Sequence, residues 1–259
     1  MKKISAVLIT KNEEHNIERC LKSLNFADEI IVYDTGSTDN TITICKSYNC
    51  LVFQTNTWEG FGIAKRTAVS FANNDWVFVI DADEEVSKEL GDFLVEFKSQ
   101  KNSLYAYRIK RNSYYLNRMI KFSGWRKDYT LRLFNRQHAN FNSKLVHESV
   151  VCNTSIGQVK QLLLHYPYPQ LQTHIKKITL YADLGAQQAI KQGKKSSVFY
   201  AIINGFSKFL KSYLIKGGIF DGKEGLIIAI NSGFSNYLKY LYILHIQKFK
   251  NIFKNITIK

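Results

Sequence analysis

Four short apolar runs, each followed by a segment of different character, constrain this chain more than any other feature. "KISAVLIT" is a β-rich run, and "NEEHNIERCLKSL" after it repeats apolar residues at helical spacing, Ile17, Leu21 and Leu24. "EIIVYDTG" precedes the helix-like "NTITICKSYN", "LVFQT" precedes "GFGIAKRTAVSFA", and "WVFVI" is the fourth run. Strands in regular alternation with helices predict an α/β, Rossmann-like chain with a mostly parallel sheet and helices on both faces. Such sheets bind ligands beyond the carboxyl ends of their strands, where "TKNEE", "DTGSTD" and "DADEE" all fall.

The last of these clusters packs Asp81, Asp83, Glu84 and Glu85 into five residues. At neutral pH they repel one another unless water or a cation separates them. In an extended backbone residues two apart point the same way, so Asp81 and Asp83 are expected to aim two carboxylates to one side. Hard oxygen donors with open coordination positions suit Mg²⁺ or Mn²⁺, which share their shell with a substrate diphosphate and offset charge on a departing phosphate. Taken alone the motif is weak, because acids at strand ends also serve as solvated helix caps. Asp34, followed by Gly36 and small hydroxyl residues, is a second strand-end carboxylate suited to a base or a ribose. An Asx turn and N-cap account for Ser37 to Asp39 equally well. Caps do not account for acids at the ends of three of the four runs.

The rest of the chain reads differently. Between Leu104 and His165, "YAYRIKR", "YTLRLFNR", "VHESVVCN" and "VKQLLLHY" look like shorter strands with interleaved cations. "HYPYP" then carries the only prolines, Pro167 and Pro169, and marks a boundary between residues 1–166 and a helical region, 167–259. Three amphipathic segments follow, with faces marked by Leu171, Ile175, Ile178, Ala182 and Ala189, by Phe199, Ile202, Phe206, Phe209 and Tyr213, and by Ile227, Ile230, Phe234, Tyr237, Leu241 and Leu244. From Gln170 onward fourteen lysines face only Asp183, Asp221 and Glu224, a net of +11 that leaves +4 of the total +15 to the first 169 residues.

So basic a region invites a lipid surface, a phosphorylated substrate or a nucleic acid. No nucleic-acid module is recognisable and acid-lined strand ends repel phosphates, so no nucleic acid is expected. The apolar start turns polar after seven residues and no run of eighteen apolar residues occurs, which argues against a signal peptide or a membrane span. Cys20, Cys45, Cys50 and Cys152 form no CxxC pair, as expected of reduced thiols in a cytoplasmic protein.

"AVLITKNEE", "IVYDTGSTDNT" and "VFVIDADEE" resemble, in order and spacing, the successive motifs of glycosyltransferase family 2, inverting nucleotide-sugar enzymes with a GT-A fold. "GWRKDYTLRLFNR", "VHE", "HY" and "LIKGGIFDGKEGL" are similar to the lipopolysaccharide core β-1,4-glucosyltransferase branch, whose members add glucose from UDP-glucose to an inner-core heptose. The likeness covers nearly the whole chain and weakens in the last fifteen or so residues.

By position, the resemblance implies that Thr10, Asn12 and Glu13 line a uridine pocket and that Asp34 contacts uracil or ribose. Asp81, Ala82 and Asp83 would bind the nucleotide sugar, with Asp81 near ribose and metal and Asp83 the direct ligand of Mg²⁺ or Mn²⁺. Lys65 or Arg66 would reach the diphosphate, unless both simply face water. His147 would complete the metal shell, with His165 as competitor, and Trp125 would stack on a sugar ring or serve as a core aromatic.

Inversion needs a general base on the face opposite the leaving UDP, best supplied by a carboxylate. Many family members carry a Glu-Asp pair there, and this chain does not. Glu148 in "VHES" is favoured over Asp128 in "WRKDY". The implied partners are a UDP-sugar, a lipid-linked oligosaccharide core and the cytoplasmic face of the inner membrane, where the basic helices would dock peripherally. Two other classes compete: a sugar nucleotidyltransferase, whose glycine-rich loop "TKNEEHN" lacks, and a non-enzymatic membrane- or polyanion-binding protein.

Overall fold

The computed structural model describes residues 1–101, 104–125, 128–142 and 149–256, with side chains to 248. The chain divides into two compact units, one of Met1–Asn112 and Lys127–Tyr166, the other of Ser113–Arg126 and Pro167–Lys259.

The first unit begins with β1 (Ile4–Thr10), α1 (Ile17–Lys22), β2 (Glu29–Asp34), α2 (Thr41–Ser47), β3 (Leu51–Gln54), α3 (Phe61–Ser70) and β4 (Trp76–Val79). Along the chain then come β5 (Glu84–Val86), α4 (Lys88–Phe97), β6 (Ala106–Tyr115), β7 (Arg118–Met119), which belongs to the second unit with the ends of β6 and β11, β8 (Asp128–Asn135), β9 (Ala139–Phe141), β10 (Val150–Cys152) and β11 (Ile156–Tyr168). The main sheet has the order β3-β2-β1-β4-β8-β6-β11-β5, with β7 paired to β6, while β9 and β10 form a separate antiparallel pair.

Pairing is parallel from β3 to β4 and turns antiparallel at β8. The sheet is therefore mixed, and its parallel part coincides with the strand–helix alternation. Period-two burial divides the core. Ile4, Ala6, Leu8, Phe78 and Ile80 pack with Ile17, Leu21, Cys45, Leu90 and Leu94 from α1, α2 and α4, whereas Val7, Val77 and Val79 pack with Ala68 and Val69 of α3. Helices thus cover both faces.

The second unit is built on α5 (Leu171–Lys191), α6 (Val198–Leu210), a π-helical turn (Lys211–Ile215), a 3-10 turn (Gly218–Asp221) and α7 (Gly222–Ile256). Asp221 ties the segment after β7 to the start of α7 by accepting from Lys121 N at 2.9 Å, Phe122 N at 3.0 Å and Ser123 Oγ at 2.7 Å. Arg118 pairs with Glu224 at 2.8 Å beside it. Within this unit Tyr115 Oη lies 2.8 Å from His174 Nδ1, and Asn231 donates to the same ring nitrogen at 2.9 Å. Burial, and then Lys177, push His174 down to about 4, so it is neutral at physiological pH.

The helical faces differ from their expected placement. On α6 the buried positions are Ala201 and Gly205, while Phe199, Ile202 and Phe206 are exposed. A Cβ on Gly205 would meet Tyr237 Cβ at 2.9 Å, and one on Gly233 would meet Gly205 O at 2.9 Å. The two helices meet at their small residues, where backbones can approach, and Phe199, Ile202 and Phe206 are turned away. On α7 Ile228, Ala229 and Ile243 are buried, but Ile230 and Phe234 are exposed. Among the described residues no helix is long and apolar enough to cross a membrane.

Candidate active site

The loops after β1 and β2 leave neighbouring parallel strands, Thr10 beside Asp34, and are laced together. Asp34 is fully buried and accepts from Thr10 Oγ1 at 3.0 Å, Gly36 N at 3.0 Å, Ser37 N at 2.9 Å and Ser37 Oγ. Asn12, held at φ 55° in the left-handed region that Asn tolerates, donates its N–H to Ser37 Oγ and accepts from Thr38 N at 2.7 Å. Glu13 N donates to Thr41 Oγ1 at 2.8 Å, and its carboxylate accepts from Asn16 Nδ2 at 2.9 Å. Thr10, Asn12, Glu13 and Asp34 therefore come together, as the motifs imply. Four internal bonds match the acceptor capacity of the Asp34 carboxylate, so in this arrangement its work is to shape the loop rather than to present oxygens to a ligand.

The acidic cluster departs from its expected geometry. β4 ends at Val79, and Ala82 and Asp83 lie in a turn closed by Glu84 N donating to Asp81 O at 2.9 Å. The backbone is not extended there, and the two aspartates find different partners. Asp81 Oδ1 meets Lys65 Nζ at 2.9 Å, and Oδ2 meets an Arg132 guanidinium nitrogen at 2.5 Å. That nitrogen also reaches Glu84 Oε1 at 2.6 Å, and Arg111 joins Glu84 at 3.0 Å to Asp128 at 2.6 Å. Three cations alternate with three carboxylates. The positive charge that Asp81 and Glu84 require is supplied by the protein itself.

Burial alone would raise the Asp81 carboxyl, but Arg132 and Lys65 outweigh it and hold it well below the usual carboxylate range. Burial opposes the Arg132 charge too, yet Asp81 and Glu84 push that group upward. Lys65 is buried, so it does not simply face water, while Arg66 does.

Asp83 has a separate neighbour, His165 Nε2, 3.6 Å from Oδ2. β5 brings it there by pairing antiparallel with β11, Glu84 opposite His165, and Tyr166 N donates to the Asp83 carbonyl at 2.8 Å. Arg19 lies 3.8 Å from Glu85 and over the Tyr166 ring. Among the described residues no three His, Cys, Asp or Glu side chains converge as a metal cage. The donor set suits an ion held by one or two protein ligands with phosphate and water completing its shell, the usual habit of Mg²⁺. The Asp83 carboxylate is of the donor type that role needs, and His165 is its neighbour. Asp81, the other expected metal ligand, carries a cation on each oxygen, Lys65 on Oδ1 and Arg132 on Oδ2.

Glu148 and His147 lie outside the described residues. Asp128 is described, with Oδ2 held by the Arg111 fork. Trp125 is half-buried in the second unit, against Tyr115 and Tyr168.

The family model for glycosyl transferase family 2 matches residues 5–157, which includes both laced loops, the acidic turn and its cationic partners. The chain belongs to glycosyltransferase family 2. An uncharacterized glycosyltransferase of Rickettsia typhi is 34% identical over 258 residues, covering 92% of this chain and 86% of that protein. The lipopolysaccharide core biosynthesis glycosyltransferase LpsC of Rhizobium meliloti is 29% identical over 241 residues, 91% of this chain and 89% of LpsC. Among solved structures, S. aureus TarS in complex with UDP-GlcNAc superposes with a TM-score of 0.51 at 16% identity, covering 91% of this chain and 81% of that one. The fold of this glycosyltransferase is accordingly GT-A with a C-terminal helical region. Family membership displaces both competing classes, the nucleotidyltransferase and the non-enzymatic binder.

Arg132, Arg111 and Glu84 were not anticipated as site residues of this glycosyltransferase. The signal for the two arginines was the interleaving of cations through "YAYRIKR" and "YTLRLFNR", and for Glu84 its place in the crowded acidic cluster.

Proposed function

We propose that this family 2 enzyme transfers a hexose, glucose from UDP-glucose, to an inner-core heptose of a lipid-linked lipopolysaccharide or lipooligosaccharide, with inversion, at the cytoplasmic membrane face. The observation that carries the reading is the similarity to LpsC over 91% of the chain, which must extend beyond the family match ending at residue 157 and into the helical region. In this reading residues 1–166 bind the nucleotide sugar and 167–259 serve the acceptor side.

The laced loops holding Thr10, Asn12 and Glu13 receive uridine, and Asp34 keeps them in shape. Asp83, with His165 and with His147 as the other histidine candidate, holds Mg²⁺ or Mn²⁺. That ion supplies charge stabilisation for the departing UDP. Lys65, held on Asp81 Oδ1 beside the same turn, is the cation within reach of the diphosphate in this reading. Protonating Asp128 would give up its ion pair with Arg111, which weighs towards Glu148 as the base that accepts the acceptor hydroxyl's proton.

Incubation with a panel of UDP- and GDP-sugars and a heptose-terminated core should release free UDP from UDP-glucose in the presence of Mn²⁺. Release from GDP-sugars alone, or from none, overturns the reading. In the same assay Glu148→Gln is expected to lower kcat by roughly a hundredfold or more, the scale of general base catalysis, while leaving UDP affinity unchanged. An unchanged kcat in that variant, with a comparable loss in Asp128→Asn, transfers the role to Asp128.

A further inference from the structure

Alternating apolar residues on a helix normally mark the side that folding covers, yet the outermost side of α6 is its most apolar. Phe199 is 73% exposed and Phe206 61%, with Ile202 on the same stripe. The turns that follow continue the pattern, Ile215 at 80% and Phe220 at 71% exposure. Soluble monomers seldom leave so many large apolar side chains in water without a use for them.

Charge decides what covers the surface. Lys194, Lys195, Lys208, Lys211, Lys216 and Lys223 stand on or beside these same elements. Burial lowers Lys208, and Lys216, Lys211 and Lys239 lower it further, so these ammonium groups feel one another. Acids that could answer them are scarce. From Gln170 onward there are three, of which Asp221 is bound to Lys121, Phe122 and Ser123, and Glu224 to Arg118. A second copy pressed against this surface would set lysines against lysines. An anionic lipid headgroup layer offers the opposite charge outside and hydrocarbon just beneath.

We propose that the exposed apolar stripe of α6 and the two turns after it, with the lysines beside them, form the surface by which this enzyme docks on an anionic bilayer, the aromatic and aliphatic side chains entering the headgroup boundary. This deepens the membrane-facing part of the proposed function and rests on it only for its purpose.

Co-sedimentation with vesicles tests it. The full chain should pellet with phosphatidylglycerol-containing vesicles and remain in solution with phosphatidylcholine alone. Combining Phe199→Ser, Phe206→Ser and Ile215→Ser should weaken partitioning by more than about a hundredfold, because apolar burial supplies the insertion energy. Since all three side chains are exposed, the circular dichroism melt should not change. Lys208→Glu with Lys211→Glu should weaken binding at low salt and flatten its salt dependence. Failure of the wild-type chain to pellet with anionic vesicles overturns the proposal, as does wild-type binding by the triple variant. So does a solution dimer that the triple variant dissociates, which would assign the surface to a second copy. The vesicles contain neither donor nor acceptor, so loss of binding leaves the transferase reading standing, and absence of UDP release alongside intact binding strikes that reading alone.

Discussion

Asp83→Ala is expected to lower sugar transfer on the order of a thousandfold, about 4 kcal/mol of transition-state stabilisation, while leaving the fold intact. The two halves of that expectation have separate causes. In the proposed reading the side chain is the carboxylate ligand of the divalent ion that meets the departing UDP. The backbone makes its own bond here, Tyr166 N to the Asp83 carbonyl at 2.8 Å, which alanine keeps, while the side chain's 3.6 Å contact with His165 is lost. Side chain and main chain therefore report on different things. Initial rates at saturating Mn²⁺, taken with a thermal melt, check both. A chelator should silence the wild-type enzyme, and added Mn²⁺ should restore it but not the variant. Near wild-type turnover in Asp83→Ala would remove the metal assignment, whereas a collapsed melt would mean that the carboxylate holds the turn together.

The sheet was legible because β1 and β4 are continuous apolar runs, buried on both faces, whose alternate side chains join opposite cores. Ile4, Ala6 and Leu8 go to one face and Val7 to the other, and Trp76, Phe78 and Ile80 alternate with Val77 and Val79 in the same way. The loops were legible for a related reason, since acids, asparagine and small hydroxyls at strand ends are what a laced pair of turns requires. The acidic turn was legible only as a charge problem. Its answer lies far along the chain, Lys65 before it and Arg132 some fifty residues after it, and no local spacing announces such a pair.

Register hides Arg132 further. Tyr107 pairs with Leu133 and Arg108 with Leu131, so Arg132 is the extra residue of a β-bulge. The bulge shifts the alternation, sending Leu133 to one core and Leu131 to the other, although plain period-two reading gives them the same face. On α6 the missing information was what the helix meets. An apolar stripe shows that a helix has a face, but Ala201 and Gly205, which look neutral in a hydrophobicity pattern, permit the close crossing with α7 and so choose which side turns inward.

Arg132→Met is expected to be the most destabilising single change in the first unit, by about 3–5 kcal/mol, because it leaves two carboxylates that lose a shared cation in a desolvated place. Arg132 is buried and bonds Asp81 at 2.5 Å and Glu84 at 2.6 Å, and Glu84 is fully buried. For a chain of this length the loss corresponds to a fall in Tm of roughly 10 °C. Arg132→Lys should recover part of it, keeping the charge while losing the planar fork. The pH dependence carries a sign. The folded Asp81 carboxyl is held below its ordinary value, so its contribution is fully present above the unfolded pKa of about 3.9 and is lost as pH falls through the folded value. The stability gap between wild type and Arg132→Met should therefore be widest at neutral pH and narrow as pH falls, because Asp81 without Arg132 takes up its proton before the wild-type carboxyl does. Denaturant unfolding across that range measures it. A gap that is small at neutral pH would show that Lys65 and Arg111 suffice for the two acids, and a gap that widens towards acid would reverse the inferred direction of the Asp81 shift.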